Sequence, residues 1–222
     1  MANMIWICRE DSSGKRGDIE TYSQFVSRNV YWWKENERAE RTRRLKYYNE
    51  FIDYCKLNKL FSETQTVAEV GPGPFGGIIE VCKIPANQKF FIDYIMKELV
   101  GLKFIKWPDA IYIHAPVETI PLADNAVDIL LSYNAIDHGW DIWAAIAECI
   151  RISRRCYLCF DCRGDSEKEM QLRRSINDLD HYQIIKFEDV EKFMERYKDY
   201  NYQVTDLGTK PEWKVATIVV EK

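Results

Sequence analysis

Short apolar segments alternate with helix-forming segments between Thr66 and Cys162, and this alternation restricts the fold more than any other feature. The short segments are apolar almost throughout, which is typical of parallel strands buried on both faces. The segments between them have the length and periodicity of helices. The pattern predicts a doubly wound, mostly parallel α/β sheet. The predicted strands are Thr66–Val70, Lys89–Asp93, Ala110–Ala115, Ala126–Asn134 and Cys156–Cys162, and the predicted helices are Gly77–Lys83, Tyr94–Leu102 and Asp141–Ser153.

The two ends of the chain depart from this alternation. After a helix around Val190–Tyr197 come two strand-like segments, Tyr202–Gly208 and Trp213–Lys222. Because only the turn-like "TKPE" separates them, they should pair as an antiparallel hairpin, which brings the predicted sheet to seven strands. About Ile19–Phe61 is predicted to be helical, since apolar residues recur there at helical spacing without Gly or Pro. We therefore expect an N-terminal helical extension or lid over residues 1–62 and the α/β domain over residues 63–222.

Composition and charge exclude some partners. The 222 residues carry a net charge of −4, so nothing in the overall charge favours nucleic acid or an anionic membrane surface. No apolar run reaches the roughly 18 residues of a membrane span, and the N-terminus lacks the features of a signal peptide. Seven cysteines without such a signal indicate reduced thiols. We expect a cytoplasmic protein with no nucleic-acid or membrane partner, and the sequence leaves its oligomeric state open.

The stretch "VAEVGPGPFGGIIEV" joins the first predicted strand to the first predicted helix. Its glycines match the G-x-G-x-x-G spacing of dinucleotide-binding loops, in which N–H groups at a helix N-terminus hold a pyrophosphate. Its prolines remove two N–H donors and stiffen the loop, which favours a ligand without phosphates. No Lys-Ser/Thr pair follows, which excludes a nucleoside triphosphatase loop. The glycines are Gly71, Gly73 and Gly76, and the prolines are Pro72 and Pro74.

From this loop onwards the sequence resembles the class I S-adenosylmethionine-dependent methyltransferases, and in particular their type 11-like domain. Glu69 and the glycines after it fit the family's first motif, an acid before a glycine-rich loop. Asp93 ends the second predicted strand, where the family has its ribose-binding acid, although an NAD site places an acid at a similar distance. The stretch "VETIPLADNAVDILLSYNAIDH" (Val117–His138) resembles the family's segment from the third strand through the fourth, and Glu148 and Arg151 continue the match.

The resemblance implies a Rossmann-like fold, S-adenosylmethionine as the cofactor and an enzyme that transfers a methyl group. Glu69 would orient the loop or the methionine ammonium group, and Asp93 would accept hydrogen bonds from the ribose. Where the family often has a polar residue near the adenine this chain has Pro116, so the backbone of Val117 would serve instead. The residues expected to bind the cofactor are Glu69, Gly71, Pro72, Gly73, Asp93, Tyr94, Val117, Glu118 and Asn134, and no metal site is expected.

His138 follows the fourth predicted strand and is a candidate general base. An imidazole with an ordinary pKa of about 6.5 can remove a proton from a hydroxyl near neutral pH. The alternative is a framework residue that moves no proton. Asp137 and His181 complete the candidate catalytic set. We expect a small-molecule or saccharide acceptor that is methylated at a hydroxyl; the alternatives are an NAD-dependent oxidoreductase and a module that binds S-adenosylmethionine without catalysis.

Two further patterns have simpler explanations than a binding site. Cys156, Cys159 and Cys162 spell C-x-x-C-x-x-C, but alternate side chains of a strand point to opposite faces, so the three thiols cannot converge on one metal. We expect them to pack as small apolar side chains. The charged stretch Lys34–Arg44 is expected to be a solvated helix face.

Overall fold

The computed structural model describes residues 4–8, 15–16, 20–57, 64–79, 84–163, 183, 185–208 and 213–222. The chain divides into two compact units, Met1–Pro116 and Val117–Lys222. Each unit has buried apolar residues of its own. In the described part of the first unit, the strands are β1 (Met4–Cys8), β2 (Lys15–Arg16), β3 (Glu20–Thr21), β4 (Val67–Val70), β5 (Lys89–Asp93) and β6 (Ala110–His114).

Four parallel strands of the first unit lie in the order β1-β6-β5-β4, and β2 and β3 form a separate antiparallel pair. Three of the parallel strands, β4 to β6, are the first three that the sequence predicts. In the register, Val70 lies beside Ile92 and Ile92 beside Ile113, so the carboxyl ends of the three strands are neighbours. Strand β1 was not predicted from the sequence; it runs along β6 from Met4 beside Ala110 to Cys8 beside His114.

The first unit contains two α-helices among its described residues, α1 (Tyr22–Leu57) and α2 (Met96–Leu102). The long helix α1 agrees with most of the predicted helical stretch, but Glu20–Thr21 form β3 instead, and the outermost residues of the stretch, Ile19 and 58–61, lie outside the described residues. Helix α2 agrees with the predicted helix after β5. The predicted helix Gly77–Lys83 is described only as far as Ile79, and this part contains no α-helix.

The strands of the first unit are apolar because they form its core. Val67, Phe91 and Tyr112, one on each of β4, β5 and β6, have no exposed surface. Phe91 and Tyr112 pack with Trp107 in an aromatic cluster whose ring centroids lie 5.7 to 5.9 Å apart. Burial of such large rings supplies much of the stabilisation of a small core, and it fixes the strand ends from which the following loops leave.

Among the described residues of the second unit, four strands lie in the order β7-β8-β10-β9. The pair β7–β8 is parallel, whereas β10 is antiparallel to both β8 and β9, which confirms the predicted C-terminal hairpin. Buried residues of α3 form the stripe predicted from helical spacing, with Ile142, Ala145 and Ile146 at most 1% exposed. The strands and helices are β7 (Val127–Tyr133), α3 (Ile142–Ile152), β8 (Ser153–Arg163), α4 (Phe187–Met194), β9 (Asn201–Asp206) and β10 (Trp213–Glu221).

Candidate cofactor site

The glycine-rich loop that follows β4 is buried and has an unusual backbone. Its four glycines all have positive φ, between 67° and 95°, a region that other residues rarely adopt. The N–H of the first glycine, Gly71, donates to the carbonyl of Ile92 at the end of β5, 2.9 Å away. Phe75 anchors the middle of the loop by stacking on Phe104, with ring centroids 5.6 Å apart. This loop shape requires glycine at these four positions, because other residues adopt such a backbone only with strain.

The side chain of Glu69 binds the backbone at the end of the glycine-rich loop. Its carboxylate is 2% exposed, and its two oxygens accept hydrogen bonds from the backbone N–H groups of Ile78 and Ile79, at 2.8 and 2.9 Å. A Cβ atom on Gly77 would lie 2.6 to 2.7 Å from this carboxylate, so no side chain fits there. Of the two roles that the resemblance implies for Glu69, this geometry supports orientation of the loop.

Asp93 ends β5, next to the strand that leads into the loop. Its Oδ1 accepts a hydrogen bond from the N–H of Ile95 at 3.0 Å. Burial raises the pKa of Asp93 to about 6, and the hydrogen bond from Ile95 and the positive charge of Arg44 partly offset this rise. A carboxylate in this place fits S-adenosylmethionine, because the ribose offers two hydroxyl donors and the ionised carboxylate accepts them.

Tyr94 follows Asp93 and stacks on His114 at the end of β6. The two rings are nearly parallel, with centroids 6.4 Å apart and an angle of 15° between their planes. His114 is 7% exposed, in agreement with the packed side chain that a strand position indicates. The first unit therefore brings Glu69, the glycine loop, Asp93 and Tyr94 to neighbouring strand ends.

In the second unit, two of the candidate catalytic residues, Asp137 and His138, lie in one turn after β7. Asn134 has a φ of 52°, and its N–H donates to the carbonyl of Cys159 at 2.7 Å. A single 3-10 turn, Ile136–His138, follows. His138 is half-buried, whereas Asp137 is 2% exposed. The negative charge of Asp137 contributes, after burial, to the raised pKa of Cys159, so this carboxyl group lies near β8.

Glu118 lies in a 3-10 turn, Val117–Thr119, at the start of the second unit. Its Oε1 accepts hydrogen bonds from the backbone N–H groups of Trp140 and Asp141, and a Cβ atom on Gly139 would lie 2.8 Å from that oxygen. Burial raises the pKa of Glu118. Its carboxylate thus binds the backbone that follows His138. The expected contacts of Val117 and Glu118 with the cofactor stay predictions.

A sequence model of a family described as "Methyltransferase domain" matches residues 69–156. The matched range begins at Glu69 and includes the glycine loop, Asp93 and the turn with His138. This match identifies residues 69–156 as a methyltransferase domain, in agreement with the resemblance to the class I S-adenosylmethionine-dependent methyltransferases. The protein is an enzyme, and its cofactor is S-adenosylmethionine, which decides against an NAD-dependent oxidoreductase.

Solved structures of other proteins share the fold of this methyltransferase. A SAM-dependent methyltransferase from Archaeoglobus fulgidus has a TM-score of 0.58 at 13% identity, over 86% of this chain and 100% of that chain. The methyltransferase in complex with the Haloferax volcanii Trm112 methyltransferase activator has a TM-score of 0.58 at 12% identity, over 86% and 96%. The YcgJ protein of Bacillus subtilis has a TM-score of 0.55 at 13% identity, over 72% and 93%.

At these identities the structural likeness shows the fold alone, which is the predicted Rossmann-like α/β fold with a mostly parallel sheet. A search of curated proteins finds no match to the sequence. Within the residues that the structure describes, no helix is long and apolar enough to cross a membrane.

Two other motif residues of the methyltransferase, Glu148 and Arg151, act within its second unit. Arg151 donates to Oε2 of Glu148 and to Oδ1 of Asp124, both at 2.7 Å. Oε1 of Glu148 accepts from the N–H of Ile120, also at 2.7 Å. These hydrogen bonds tie the segment before β7 to α3. Their match to the family motif therefore reflects a structural role.

The cysteines of the C-x-x-C-x-x-C motif all lie in β8 and are buried. Burial raises the pKa of Cys156 and Cys162 to about 12 and that of Cys159 to about 11, so all three are thiols near neutral pH. Among the described residues, no group of three or more His, Cys, Asp or Glu side chains is arranged to hold a metal ion. The candidate catalytic residue His181 lies outside the described residues.

One residue that lies against the glycine loop was not predicted as a site residue from the sequence. Arg44 belongs to the charged stretch expected to be a solvated helix face, and Arg38 and Arg41 of that stretch are indeed exposed. Arg44 is half-buried, and a Cβ atom on Gly73 would lie 2.6 Å from its Nη1. Helical spacing indicates that Arg44 lies on a buried face of α1, because it follows the buried Trp33 by three turns of α-helix.

Proposed function

We propose that the methyltransferase transfers the methyl group of S-adenosylmethionine to a hydroxyl of a small-molecule or saccharide acceptor. The observation that carries the proposal is the turn after β7. It presents a half-buried imidazole, His138, directly after a buried carboxyl group, Asp137. A hydroxyl is a weak nucleophile until its proton is removed, and a histidine can accept that proton near neutral pH.

S-adenosylmethionine supplies an activated methyl group on a sulfonium, so the protein needs to position the acceptor and exclude water rather than provide an electrophile. In the proposed assignment, Asp93 binds the ribose hydroxyls and Glu69 keeps the glycine loop in shape. His138 takes the proton of the acceptor hydroxyl. Asn134, at the end of β7, lines the methionine and substrate side, as expected from the family resemblance.

We also propose that the protein works in the cytoplasm. Cys149, Cys156, Cys159 and Cys162 are all free thiols and all buried. Buried, unpaired thiols are typical of proteins from a reducing compartment. The overall negative charge supports a partner other than nucleic acid or an anionic membrane.

The test is a methyl-transfer assay with S-adenosylmethionine labelled in its methyl group. The acceptor panel contains hydroxyl compounds, including saccharides, together with matched amines and thiols. We expect label in one or more hydroxyl compounds and a rate reduced about 10²- to 10⁴-fold in His138→Ala, the range for loss of a general base. Isothermal titration with S-adenosylhomocysteine should give the same affinity for both proteins.

Two outcomes would contradict the proposal. Label confined to amines or thiols would exclude a hydroxyl acceptor. Full turnover of a hydroxyl acceptor by His138→Ala would support a hydroxyl as the acceptor but would show that His138 is not the base.

A further inference from the structure

The backbone that follows His138 is bound by a side chain from outside the matched range 69–156. Gln183 lies in the chain between β8 and α4 and is half-buried. Its Nε2 donates to the carbonyl oxygen of Gly139 at 2.7 Å, and its Oε1 accepts from the N–H of Ile142 at 3.2 Å. These partners are 44 and 41 residues away in the sequence, so the two hydrogen bonds exist only because of the fold.

Gly139 is the residue of this turn that most needs such hydrogen bonds. Its φ of −66° and ψ of 170° are open to any residue, so its backbone conformation does not require glycine. The space around it does, because a Cβ atom would lie 2.8 Å from Oε1 of Glu118 and 3.0 Å from the carbonyl oxygen of Ile136. A glycine has more backbone freedom than any other residue. The chain directly after His138 therefore depends on outside contacts to keep one conformation.

The peptide group between Gly139 and Trp140 is held at both ends. Its oxygen accepts from Gln183, and its N–H donates to Oε1 of Glu118. Because a peptide group is planar, hydrogen bonds at its two ends together fix how it is rotated. Glu118 precedes β7 and Gln183 follows β8, so two separate parts of the chain set the orientation of this one peptide group.

The second hydrogen bond of Gln183 reaches the start of α3. The first N–H groups of a helix have no partner within the helix. Those of Trp143 and Ala144 donate to Asp141, and that of Ile142 donates to Gln183. The side chain of Ile142 is 1% exposed, so this end of α3 is packed into the core. One side-chain amide thus joins the turn to a helix that is itself fixed.

We propose that Gln183 is a positioning residue that fixes the orientation of His138 through the peptide group between Gly139 and Trp140. The inference rests on the proposed function, in which His138 removes the proton of the acceptor hydroxyl. That step needs an imidazole nitrogen within hydrogen-bond reach of the hydroxyl, so a small rotation of the turn lowers the rate. Gln183 acts through the backbone alone.

The test separates the two hydrogen bonds of Gln183. Gln183→Glu keeps an acceptor for the N–H of Ile142, but an ionised carboxylate has no donor for the carbonyl group of Gly139. Gln183→Ala removes both hydrogen bonds. Gln203→Ala is the matched control, because it makes the same change at an exposed position of β9. Single-turnover methyl transfer to the hydroxyl acceptor, the KM of that acceptor and urea unfolding are measured for each protein.

We expect both Gln183 variants to transfer the methyl group about 10- to 100-fold more slowly with little change in KM, as for a misplaced catalytic group. Gln183→Glu should keep the urea midpoint of the wild type, because a carboxylate still accepts at the start of α3. Adding Gln183→Ala to His138→Ala should cause no further loss of rate, since both act through one group. Asp141→Ala should lose stability at the same end of α3 and keep its rate, and Gln203→Ala should match the wild type throughout.

A second measurement needs no acceptor. The chain has three histidines, so comparison with His138→Ala assigns the imidazole signal of His138 in an NMR spectrum. In Gln183→Glu this signal should shift or broaden, as for a ring that exchanges between orientations. The signal of His114, which lies in the first unit, should not change, and Gln203→Ala should leave both signals as they are in the wild type.

Three results would overturn the inference. A wild-type rate and a wild-type His138 signal in Gln183→Glu would show that donation to Gly139 orients nothing. A rate as low in Asp141→Ala as in Gln183→Glu would show that the rate reports only the stability of α3. A further loss on adding Gln183→Ala to His138→Ala would show that Gln183 acts by another route. If His138→Ala keeps full turnover, it is the proposed base that fails, and the His138 signal still decides whether Gln183 fixes the turn.

Discussion

The carboxylate of Glu69 is the single group whose replacement should most disturb the site. Glu69→Gln keeps the size of the side chain but turns one oxygen into an NH₂ group. One of the two N–H groups, of Ile78 or Ile79, then faces a donor instead of an acceptor. The change tests whether the loop depends on both hydrogen bonds.

The size of the effect follows from the two hydrogen bonds. A hydrogen bond to a charged group contributes roughly 1.5–3 kcal/mol, and the substitution loses one of these and weakens the other. The unpaired N–H adds a desolvation cost, because the site is buried, while removal of a buried charge offsets part of the loss. We expect the free energy of unfolding to fall by about 2 kcal/mol.

Urea unfolding measures this difference. With a slope of roughly 2 kcal/mol per molar urea, the midpoint should move down by about 1 M without a change in slope. Glu191→Gln is the control, because Glu191 is an exposed residue of α4 and should change stability by less than about 0.5 kcal/mol. If Glu69→Gln shifts the midpoint no more than Glu191→Gln does, the two N–H groups do not depend on the carboxylate and the reasoning is refuted.

Three further predictions concern two carboxyl groups with other roles. Burial raises the pKa of Asp93 to about 6, so affinity for S-adenosylhomocysteine should fall as the pH drops through this value and the carboxylate of Asp93 is protonated. Asp93→Asn should bind S-adenosylhomocysteine weakly, without this pH dependence. Titrations between about pH 5 and 8 measure both effects. The pH dependence of the folding free energy has the opposite sign. Ionisation of the buried Asp93 lowers stability as the pH rises from its ordinary pKa of 3.8 to about 6. In thermal unfolding, Asp93→Asn should therefore be less sensitive to pH over that range than the wild type. Asp141 caps α3 by accepting from the N–H groups of Trp143 and Ala144 at 2.9 and 3.2 Å, so Asp141→Ala should lower the free energy of unfolding by about 1 kcal/mol in urea, and Asp141→Asn by much less.

The sheet was predictable because its central strands are apolar almost throughout. Segments such as Phe90–Ile92 and Ile129–Leu131 cannot remain exposed, and their spacing leaves room for helices between them. By contrast, β1 was missed because Met4–Cys8 is a single short apolar segment followed by polar residues, with no alternation to mark it. Its pairing with β6 depends on a contact between residues far apart in sequence, which no local pattern records.

The motif match selected candidate residues but did not indicate what each one contacts. Glu118 and Glu148 both accept backbone N–H groups, and this role cannot be read from their presence in a motif. Arg44 shows the converse, since its contact with Gly73 arises from the packing of α1 and belongs to no motif. Helical spacing indicates the face of α1 on which this residue lies. Only the structure shows what it touches.

The internal carboxylate of Glu69 explains why this loop suits S-adenosylmethionine better than a dinucleotide. In a dinucleotide site, N–H groups after the glycines bind the pyrophosphate. Here the N–H groups of Ile78 and Ile79, which follow the glycines, donate to the carboxylate of Glu69. A second negative charge brought to the same donors would be repelled by Glu69. The loop therefore suits a ligand whose anionic group lies away from these two N–H groups.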